Sequence, residues 1–311
     1  MKSWELIIIG AGAAGLAAGI YGARSGLKTL ILEEKMAGGA TADAPLIENY
    51  PGFQSISGRE LAQKMVSHCR NLGVEIHELE KVVSLELKGE KKIAETDKAT
   101  YETKTVVIAS GARYRELGVA GEKEFYGRGV SYCGVCDGPL FKGKRVLVVG
   151  GGNSAVITAL YMAELASEVK LPHRRDVLRA EEALVKGLKE KGNVEILWNT
   201  ELKEIKGENV VNRVVLFNNK SGETMELAVD GVFVQVGEAP NSRLAKEAGV
   251  SVDEEGYVIV DVRQRTNLSG VYAAGDVTNH PVKQVGTAVG QGITAVLEAY
   301  GYIRRPYYYK P

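Results

Sequence analysis

The chain has 311 residues, of which 45% are hydrophobic and 25% are charged, as in ordinary folded globular proteins. Lysine plus arginine and aspartate plus glutamate each number 39, so no net charge favours nucleic acid or an anionic membrane as a partner. Three cysteines are too few for a disulfide-stabilised secreted domain, and no apolar stretch approaches the roughly 18 residues of a membrane span, so we expect a soluble, cytoplasmic protein.

The amino-terminal segment predicts a strand, a glycine-rich turn and a helix. Residues 6–9 form a continuous apolar run, which is typical of a strand buried on both faces of a parallel sheet. Residues 10–15 read G-A-G-A-A-G and lead into a helix that we expect to end near Ser25. Glu33 ends the next predicted strand, where a carboxylate would accept hydrogen bonds from ribose hydroxyls. The pattern predicts a dinucleotide with its phosphates at the helix amino terminus, although a turn that only packs the helix on its strand would also contain these glycines.

The following segments predict helix and sheet without evident chemistry. Residues 59–72 have apolar side chains on one helical face, which includes Cys69, so we expect this cysteine to lie in the core. Residues 74–93 resemble a β-meander, and residues 105–111 predict a further strand.

A closely spaced cysteine pair follows, formed by Cys133 and Cys136. Such a pair can alternate between a disulfide and a dithiol, and a helix that begins there lowers the pKa of a thiol. A structural zinc site would need four ligands, and only Cys69 and scattered histidines remain, so we expect no metal; a purely structural pair is the other alternative. Asp137 directly follows the pair, and we predict that it is the general acid for a leaving thiolate, with a solvated turn residue as the alternative.

A second strand, glycine turn and helix begin at residue 145. Residues 145–149 are apolar, residues 150–155 read G-G-G-N-S-A, and the helix should extend to about Leu165. The next predicted strand ends in a basic cluster that contains Arg174, Arg175 and Arg179. Arginines at this position would bind the 2′-phosphate of NADPH, whereas a solvated basic cluster is the alternative. We expect Pro172 to interrupt the strand just before this cluster.

The late segments complete the organisation of two domains. Residues 231–237 predict a strand, and residues 266–276 predict another that ends at Gly275 and Asp276. This glycine would allow close approach of a flavin and the carboxylate would contact its ribityl hydroxyls, although Asp276 alone could also be a helix cap. Two strand–turn–helix units indicate two doubly wound α/β domains. Polar hinges at residues 114–119 and 242–247 would insert the second domain into the first, which gives domains 1–116 with 247–311, and 117–246.

In combination, these motifs resemble those of the low-molecular-weight thioredoxin reductases, FAD-dependent pyridine nucleotide-disulfide oxidoreductases, over nearly the whole chain. The motifs that carry the resemblance follow the family's order, at residues 10–15, 38–39, 48–52, 133–138, 150–155, 173–180 and 270–277. The resemblance implies a homodimer of chains with two Rossmann-like, three-layer ββα domains, FAD in the first domain, and NADPH and the dithiol in the second. It implies a thioredoxin or a similar glutaredoxin-like protein as the partner, with Cys136 next to the flavin and Cys133 forming the mixed disulfide.

The motifs and the resemblance together give two sets of expected nucleotide-binding residues. Those expected to bind FAD are Gly10, Gly12, Ala13, Ala14, Gly15, Glu33, Glu34, Gly38, Gly39, Ala40, Thr41, Asn49, Val83, Ser110, Gly111, Ala112, Gly275, Asp276, Lys283, Gln284 and Val285. Those expected to bind NADPH are Gly150, Gly152, Asn153, Ser154, Ala155, His173, Arg174, Arg175, Arg179 and Gly237.

The sequence also departs from the family pattern. Ala40 stands where the family usually has glutamine, Ile157 and Thr158 replace a common acidic pair, and Lys283 replaces a common arginine. Three alternatives therefore stay open: a dithiol oxidase that passes electrons to oxygen or a small molecule, a reductase supplied by NADH or a reduced deazaflavin, and a relative of the NADPH–ferredoxin reductases that does not need the cysteines.

Overall fold

A computed structural model describes residues 2–44 and 47–305, and these form an α/β structure. Its strands are, in chain order, β1 (Lys2–Ile9), β2 (Thr29–Leu32), β3 (Glu75–His77), β4 (Val82–Glu86), β5 (Lys92–Thr96), β6 (Thr100–Ile108), β7 (Ala112–Tyr114), β8 (Val130–Ser131), β9 (Arg145–Gly150), β10 (Glu168–His173), β11 (Val194–Trp198), β12 (Thr200–Gly207), β13 (Val211–Asn218), β14 (Thr224–Ala228), β15 (Gly231–Gln235), β16 (Glu238–Pro240) and β17 (Val271–Ala273). Its α-helices are α1 (Ala13–Arg24), α2 (Gly39–Asp43), α3 (Gly58–Asn71), α4 (Gly134–Asp137), α5 (Asn153–Leu165), α6 (Glu182–Lys189), α7 (Arg243–Glu247) and α8 (Val285–Arg304). None of these helices combines the length and the apolar composition that crossing a bilayer requires.

The chain divides into two compact units, one of which is inserted into the other. Unit 1 comprises Met1–Arg113 and Ala239–Pro311, and unit 2 comprises Tyr114–Glu238. The sequence predicts boundaries at 116/117 and 246/247, whereas the two units divide at 113/114 and 238/239. Helix α7 therefore lies in unit 1 and not in a hinge. The reason is that Ala245 of this helix is buried in the core of unit 1, which the polar residues around it conceal in the sequence.

The sheet of unit 1 is parallel at its centre. Strands β3, β2, β1, β6 and β17 pair in parallel, and β4 and β5 extend the sheet from β6 in antiparallel fashion. Alternate side chains of β1 enter two cores: Leu6 and Ile8 pack with α1 and α8, whereas Ile7 and Ile9 pack with β4 and β5. All four are buried, which confirms the prediction of a strand covered on both faces.

The predicted meander at residues 74–93 is wrong in its extent. Glu75–His77 pairs in parallel with β2 at the edge of the sheet, and the antiparallel run comprises β4, β5 and β6 instead. Alternating short strands give the same sequence pattern in both arrangements, and only the tertiary pairing distinguishes them.

Unit 2 has the same layered construction. Strands β11, β10, β9, β15 and β8 form a parallel sheet, and β12, β13 and β14 form a separate antiparallel sheet. Val146 and Val148 of β9 pack towards α5 and α6, whereas Leu147 and Val149 pack towards the antiparallel sheet. The predicted fold class, with two Rossmann-like domains of three layers each, is confirmed.

Pro172 does not interrupt its strand, contrary to the prediction. Strand β10 pairs with β11 from Val169 to His173, and Pro172 is a member of this register. Pairing with β9 stops at Lys170. Beyond that residue β10 pairs with β11 only. A strand that pairs on one side tolerates a proline, because no partner strand on the open side needs its N–H as a hydrogen-bond donor.

Candidate redox and nucleotide-binding sites

The first glycine turn lies between β1 and α1 and is too crowded for side chains. A Cβ on Gly10 would lie 2.3 Å from the carbonyl oxygen of Ala109, and Gly10 has a φ of +106°. A Cβ on Gly15 would lie 1.9 Å from the carbonyl oxygen of Gly10. Gly12 caps α1 without a side chain, so the first N–H groups of a twelve-residue helix stay available to an anion. Ala13 and Ala14 open this helix.

Glu33 lies beside the turn. Its carboxylate accepts a hydrogen bond from the backbone N–H of Ala11 at 2.7 Å and another from that of Lys35 at 2.9 Å. These bonds fix the carboxylate next to the position where the sequence predicts a ribose. Glu34 differs, because it forms an exposed ion pair with Lys81 at 2.8 Å.

Residues 38–41 also lie against the first turn. Gly38 donates its N–H to the carbonyl oxygen of Ala11 at 2.8 Å, and a Cβ on Gly39 would lie 2.9 Å from the Cα of Gly12. Ala40 and Thr41 continue into α2, where Ala40 is exposed and Thr41 is buried.

Gly275 and Asp276 follow β17 and reach α1. Gly275 has a φ of +80°, and a Cβ there would lie 2.9 Å from the Cβ of Ala14. Burial raises the pKa of the Asp276 carboxyl above its ordinary value, and the charge of Lys283 opposes this effect. Among the described residues no hydrogen-bond donor contacts this carboxylate. Gln291, which the sequence analysis missed, accepts the N–H of Gly275 at 2.7 Å, and its buried side-chain nitrogen has no described partner. A lone glutamine inside a helix gives no sequence signal of such a role.

Four further predicted residues lie at or beside the amino terminus of α8. Gln284 caps this helix and accepts a hydrogen bond from the side-chain amide of Asn49 at 3.1 Å, and Val285 is the first helical residue. The Lys283 ammonium donates to the carbonyl oxygen of Asp276 at 3.1 Å and lies 4.1 Å from the centre of the Tyr257 ring. Lysine in place of arginine is therefore held by backbone oxygen and an aromatic face.

The remaining residues expected at the first nucleotide lie at two places in unit 1. Ser110 donates to the carbonyl oxygen of Asn241 at 2.7 Å, and Gly111 and Ala112 follow it. Val83 lies on the antiparallel strand β4 with an exposed side chain, and not at the carboxyl ends of the parallel strands where the turn lies.

Cys133 and Cys136 form a disulfide at the start of α4. Cys133 is the residue before this helix, and its sulfur accepts the N–H of Cys136 at 3.2 Å. Gly134 between them packs so closely that a Cβ would lie 2.6 Å from the buried side chain of Thr158. Cys69 is buried in the core of unit 1, as predicted, and burial raises the pKa of its thiol to about 12.

Asp137 is held beside the disulfide by Ser131, which the sequence analysis missed. The Ser131 hydroxyl donates to the Asp137 carboxylate at 2.6 Å, and the same oxygen accepts the N–H of Cys133 at 3.0 Å. Burial raises the pKa of the Asp137 carboxyl, and the hydrogen bond from Ser131 lowers it in part. A carboxyl with a raised pKa keeps its proton to higher pH, which suits a proton donor.

The second glycine turn, between β9 and α5, repeats the crowding of the first. A Cβ on Gly150 would lie 2.3 Å from the carbonyl oxygen of Gln235 and 2.6 Å from the Cβ of Ala155. Gly152 caps α5, again without a side chain, and Asn153 and Ser154 open this helix.

The basic cluster lies next to this turn, at the end of β10. The backbone N–H of Arg179 donates to the carbonyl oxygen of Gly151 at 2.7 Å. Arg174, Arg175 and Arg179 are all exposed, and none forms an ion pair with a described carboxylate. Gly237, with a φ of +108°, follows β15, the strand that pairs with β9.

His173 has a different environment from the arginines. Its ring is buried, with Nδ1 3.0 Å from the carbonyl oxygen of Gly150 and Nε2 3.0 Å from that of Val177. Burial lowers the pKa of this imidazole. The ring therefore connects the turn to the arginine loop and does not face solvent.

Comparisons with known proteins agree with this arrangement. A profile of the pyridine nucleotide-disulphide oxidoreductases matches residues 4–292. The chain is 42% identical to the thioredoxin reductase of Bacillus subtilis, with 97% of this chain and 95% of that protein covered. It is 40% identical to a 34.2 kDa protein in the rubredoxin operon of Clostridium pasteurianum, with 97% and 98% covered. The crystal structure of thioredoxin reductase from Streptococcus pyogenes matches with a TM-score of 0.93 at 42% identity, with 98% of this chain and 99% of that chain covered.

Proposed function

We propose that this chain, which belongs to the pyridine nucleotide-disulphide oxidoreductase family, is a thioredoxin-disulfide reductase that draws its electrons from NADPH. Family membership makes it an oxidoreductase that uses a flavin and a pyridine nucleotide. The observation that carries the proposal is the Cys133–Cys136 disulfide, which lies beside the half-buried acid Asp137 in the unit that also contains the second glycine turn. The names of its relatives support thioredoxin as the oxidised partner.

The residues of unit 1 fit FAD. The turn at Gly10, Gly12 and Gly15 leaves space and free helix N–H groups for a pyrophosphate. The side-chain nitrogen of Gln291 is buried without a described hydrogen-bond partner, and such a group requires a partner from elsewhere. The half-buried carboxylate of Asp276 also has no described donor, and burial raises its pKa. We propose that the expected residues of this unit bind FAD, which when bound supplies two-electron transfer between a nicotinamide and a disulfide.

The residues of unit 2 fit NADPH rather than NADH. An NAD site has a carboxylate after the strand that follows the glycine turn, to accept from the ribose hydroxyls. Here the strand β10 is followed by Arg174 and Arg175, with Arg179 nearby, and no described carboxylate forms an ion pair with their guanidinium groups. The charge of Arg174 does contribute to a lowered pKa of Glu201. Three exposed cations favour a phosphate dianion at this position.

The roles of the two cysteines follow from the resemblance to the low-molecular-weight thioredoxin reductases, and the role of Asp137 follows from its place beside them. After two-electron reduction of the disulfide, the Cys133 thiolate attacks one sulfur of the partner's disulfide, forms a mixed disulfide and releases one partner thiolate. Cys136 then attacks the Cys133 sulfur, which restores the intramolecular disulfide and releases the second partner thiolate. Asp137 donates a proton to a leaving thiolate, and Ser131 holds its carboxyl in place.

We further propose a cytoplasmic homodimer, on the basis of the motifs shared with the low-molecular-weight thioredoxin reductases. Light scattering of the purified protein should give twice the mass of the 33.5 kDa chain.

The decisive experiment reduces the purified flavoprotein under anaerobic conditions with NADPH, NADH or a reduced deazaflavin, and then adds thioredoxin or a glutaredoxin-like protein. We expect NADPH to bleach the flavin fastest, and Cys136→Ser to retain bleaching but lose thioredoxin reduction. A colourless protein that does not bind FAD, or full thioredoxin reduction by Cys136→Ser, contradicts the proposal. Rapid oxygen consumption without thioredoxin would identify a dithiol oxidase instead.

A further inference from the structure

Glu122 is a buried carboxylate near the redox disulfide that the proposed mechanism does not use. Its side chain is 1% exposed, and no described lysine or arginine pairs with it. It accepts hydrogen bonds from the backbone N–H of Leu117 at 2.9 Å and from that of Gly118 at 2.7 Å. A third hydrogen bond comes from the hydroxyl of Tyr132 at 2.8 Å. A buried charge costs free energy unless several donors satisfy it, so these three bonds hold the carboxylate in one position.

Tyr132 links the Glu122 carboxylate to the backbone of the disulfide. It immediately precedes Cys133, and its carbonyl oxygen accepts a hydrogen bond from the Gln235 side chain at 2.8 Å. Its ring stacks on Tyr114, with centroids 5.3 Å apart and planes at 13°. Burial, followed by the hydrogen bond to Glu122, raises the pKa of the phenol, which therefore stays a donor at neutral pH. Tyr132 is therefore held at its hydroxyl by Glu122, at its carbonyl oxygen by Gln235 and at its ring by Tyr114.

We propose that Glu122 and Tyr132 are positioning residues of the redox centre, and that their hydrogen bond stabilises the disulfide relative to the dithiol. Disulfide formation requires the two sulfurs to be held close together, so backbone restraint at Cys133 raises the effective concentration of one thiol at the other. Removal of the phenol hydroxyl loosens that restraint, and the disulfide should become easier to reduce. The inference rests on the proposed function only in taking Cys133 and Cys136 as the redox pair.

The experiment measures the redox equilibrium of the full-length holoprotein in buffers of reduced and oxidised dithiothreitol. Reduction adds two electrons and two protons to the protein disulfide, while two dithiothreitol thiols lose them and close a ring disulfide. Acid quenching, maleimide labelling in denaturant and mass spectrometry count the thiols, with Cys69 as the constant third label. Neither a nicotinamide nor thioredoxin enters this measurement, so its result is independent of whether the proposed function holds.

Tyr132→Phe is the informative variant, and Tyr101→Phe is its matched control. Tyr101 donates its hydroxyl to the buried carboxylate of Glu80 at 2.7 Å, in unit 1. Both variants remove one phenol hydroxyl from one buried glutamate and keep the ring. We expect Tyr132→Phe to shift the equilibrium towards the dithiol by roughly three- to tenfold, the effect of one hydrogen bond, where tenfold corresponds to about 30 mV. Tyr101→Phe should leave the equilibrium unchanged.

A double-mutant cycle tests whether the bond itself is responsible. Glu122→Gln combined with Tyr132→Phe should shift the equilibrium less than the sum of the two single variants, because both remove the same contact. An unchanged equilibrium in Tyr132→Phe, an equal shift in Tyr101→Phe, or fully additive shifts would each overturn the inference.

Discussion

Replacement of the exposed arginines in unit 2 should separate the use of NADPH from that of NADH. Arg174 and Arg175 follow β10 directly, their side chains are exposed, and no described carboxylate pairs with them. Their charges are therefore available to a ligand without first breaking an ion pair. We predict that the double variant Arg174→Ala/Arg175→Ala loses affinity for NADPH and not for NADH.

The magnitude follows from the kind of contact. A hydrogen bond between charged groups contributes about 1.5–3 kcal/mol, and exposure to solvent places these two near the lower limit. Two contacts of about 1.5 kcal/mol each correspond to a roughly 10²-fold rise in KM for NADPH. The value for NADH should change less than about twofold, because NADH lacks the 2′-phosphate.

The assay is steady-state reduction of thioredoxin with each nucleotide at low and high ionic strength. High salt should raise the KM for NADPH more in the natural protein than in the double variant, because salt screens the exposed arginine charges that only the natural protein has at this site. Arg213→Ala is the matched control, since Arg213 is an exposed arginine of the same unit that pairs with Glu226 at 3.6 Å. Equal losses for both nucleotides, or a loss in the control, would refute the reasoning.

Four further predictions concern the acid, the flavin site and the glycine turn. Asp137→Asn should slow thioredoxin reduction by about 100-fold, the scale of general acid catalysis, while NADPH still bleaches the flavin. Because burial raises the pKa of Asp137 in the folded state, the free energy of unfolding falls as the pH rises from the unfolded pKa through the folded one. Asp137→Asn should therefore raise Tm at neutral pH and raise it less near pH 3. An equal gain at both pH values would contradict this. Asp276→Asn should weaken FAD binding by about tenfold, measured from FAD fluorescence on dilution, and unchanged affinity would show that this carboxylate does not contact the cofactor. Gly15→Ala should destabilise the protein by at least about 3 kcal/mol, because the new Cβ would meet the backbone. Gly290 is exposed on α8 with no atom near the position of a Cβ, so Gly290→Ala should stabilise the protein by about 0.5–1 kcal/mol. Urea unfolding measures both effects, and equal effects would refute the steric argument.

The two glycine turns and the cysteine pair could be read from the sequence because each depends on local geometry. Any Cβ would meet a carbonyl oxygen at Gly10, Gly15 and Gly150. The glycine spacing in the sequence therefore reflects the close packing of the backbone at the two turns. Cys133 and Cys136 are three residues apart with a helix beginning between them, so their pairing depends on local backbone geometry. Burial of both faces of β1 likewise follows from its apolar run.

Other features could not be read locally because they depend on distant pairing. Pro172 looked like an interruption, and it is tolerated because β10 has lost one neighbour at that point. Ser131 and Gln291 are ordinary residues in the sequence, and their roles arise from contacts with Asp137 and Gly275. Helix α7 belongs to unit 1 because Ala245 packs into a core formed largely by strands far away in the chain.

The sequence by itself determined the order of the nucleotide turns, the redox pair and the two-domain α/β fold, because hydrophobic period and glycine spacing are set by neighbours along the chain. Only the tertiary structure decided which polar groups are buried without partners, which carboxylates have a raised pKa, and which residues brace the disulfide. Those properties depend on desolvation and on hydrogen bonds between segments far apart in sequence, and no local pattern encodes them.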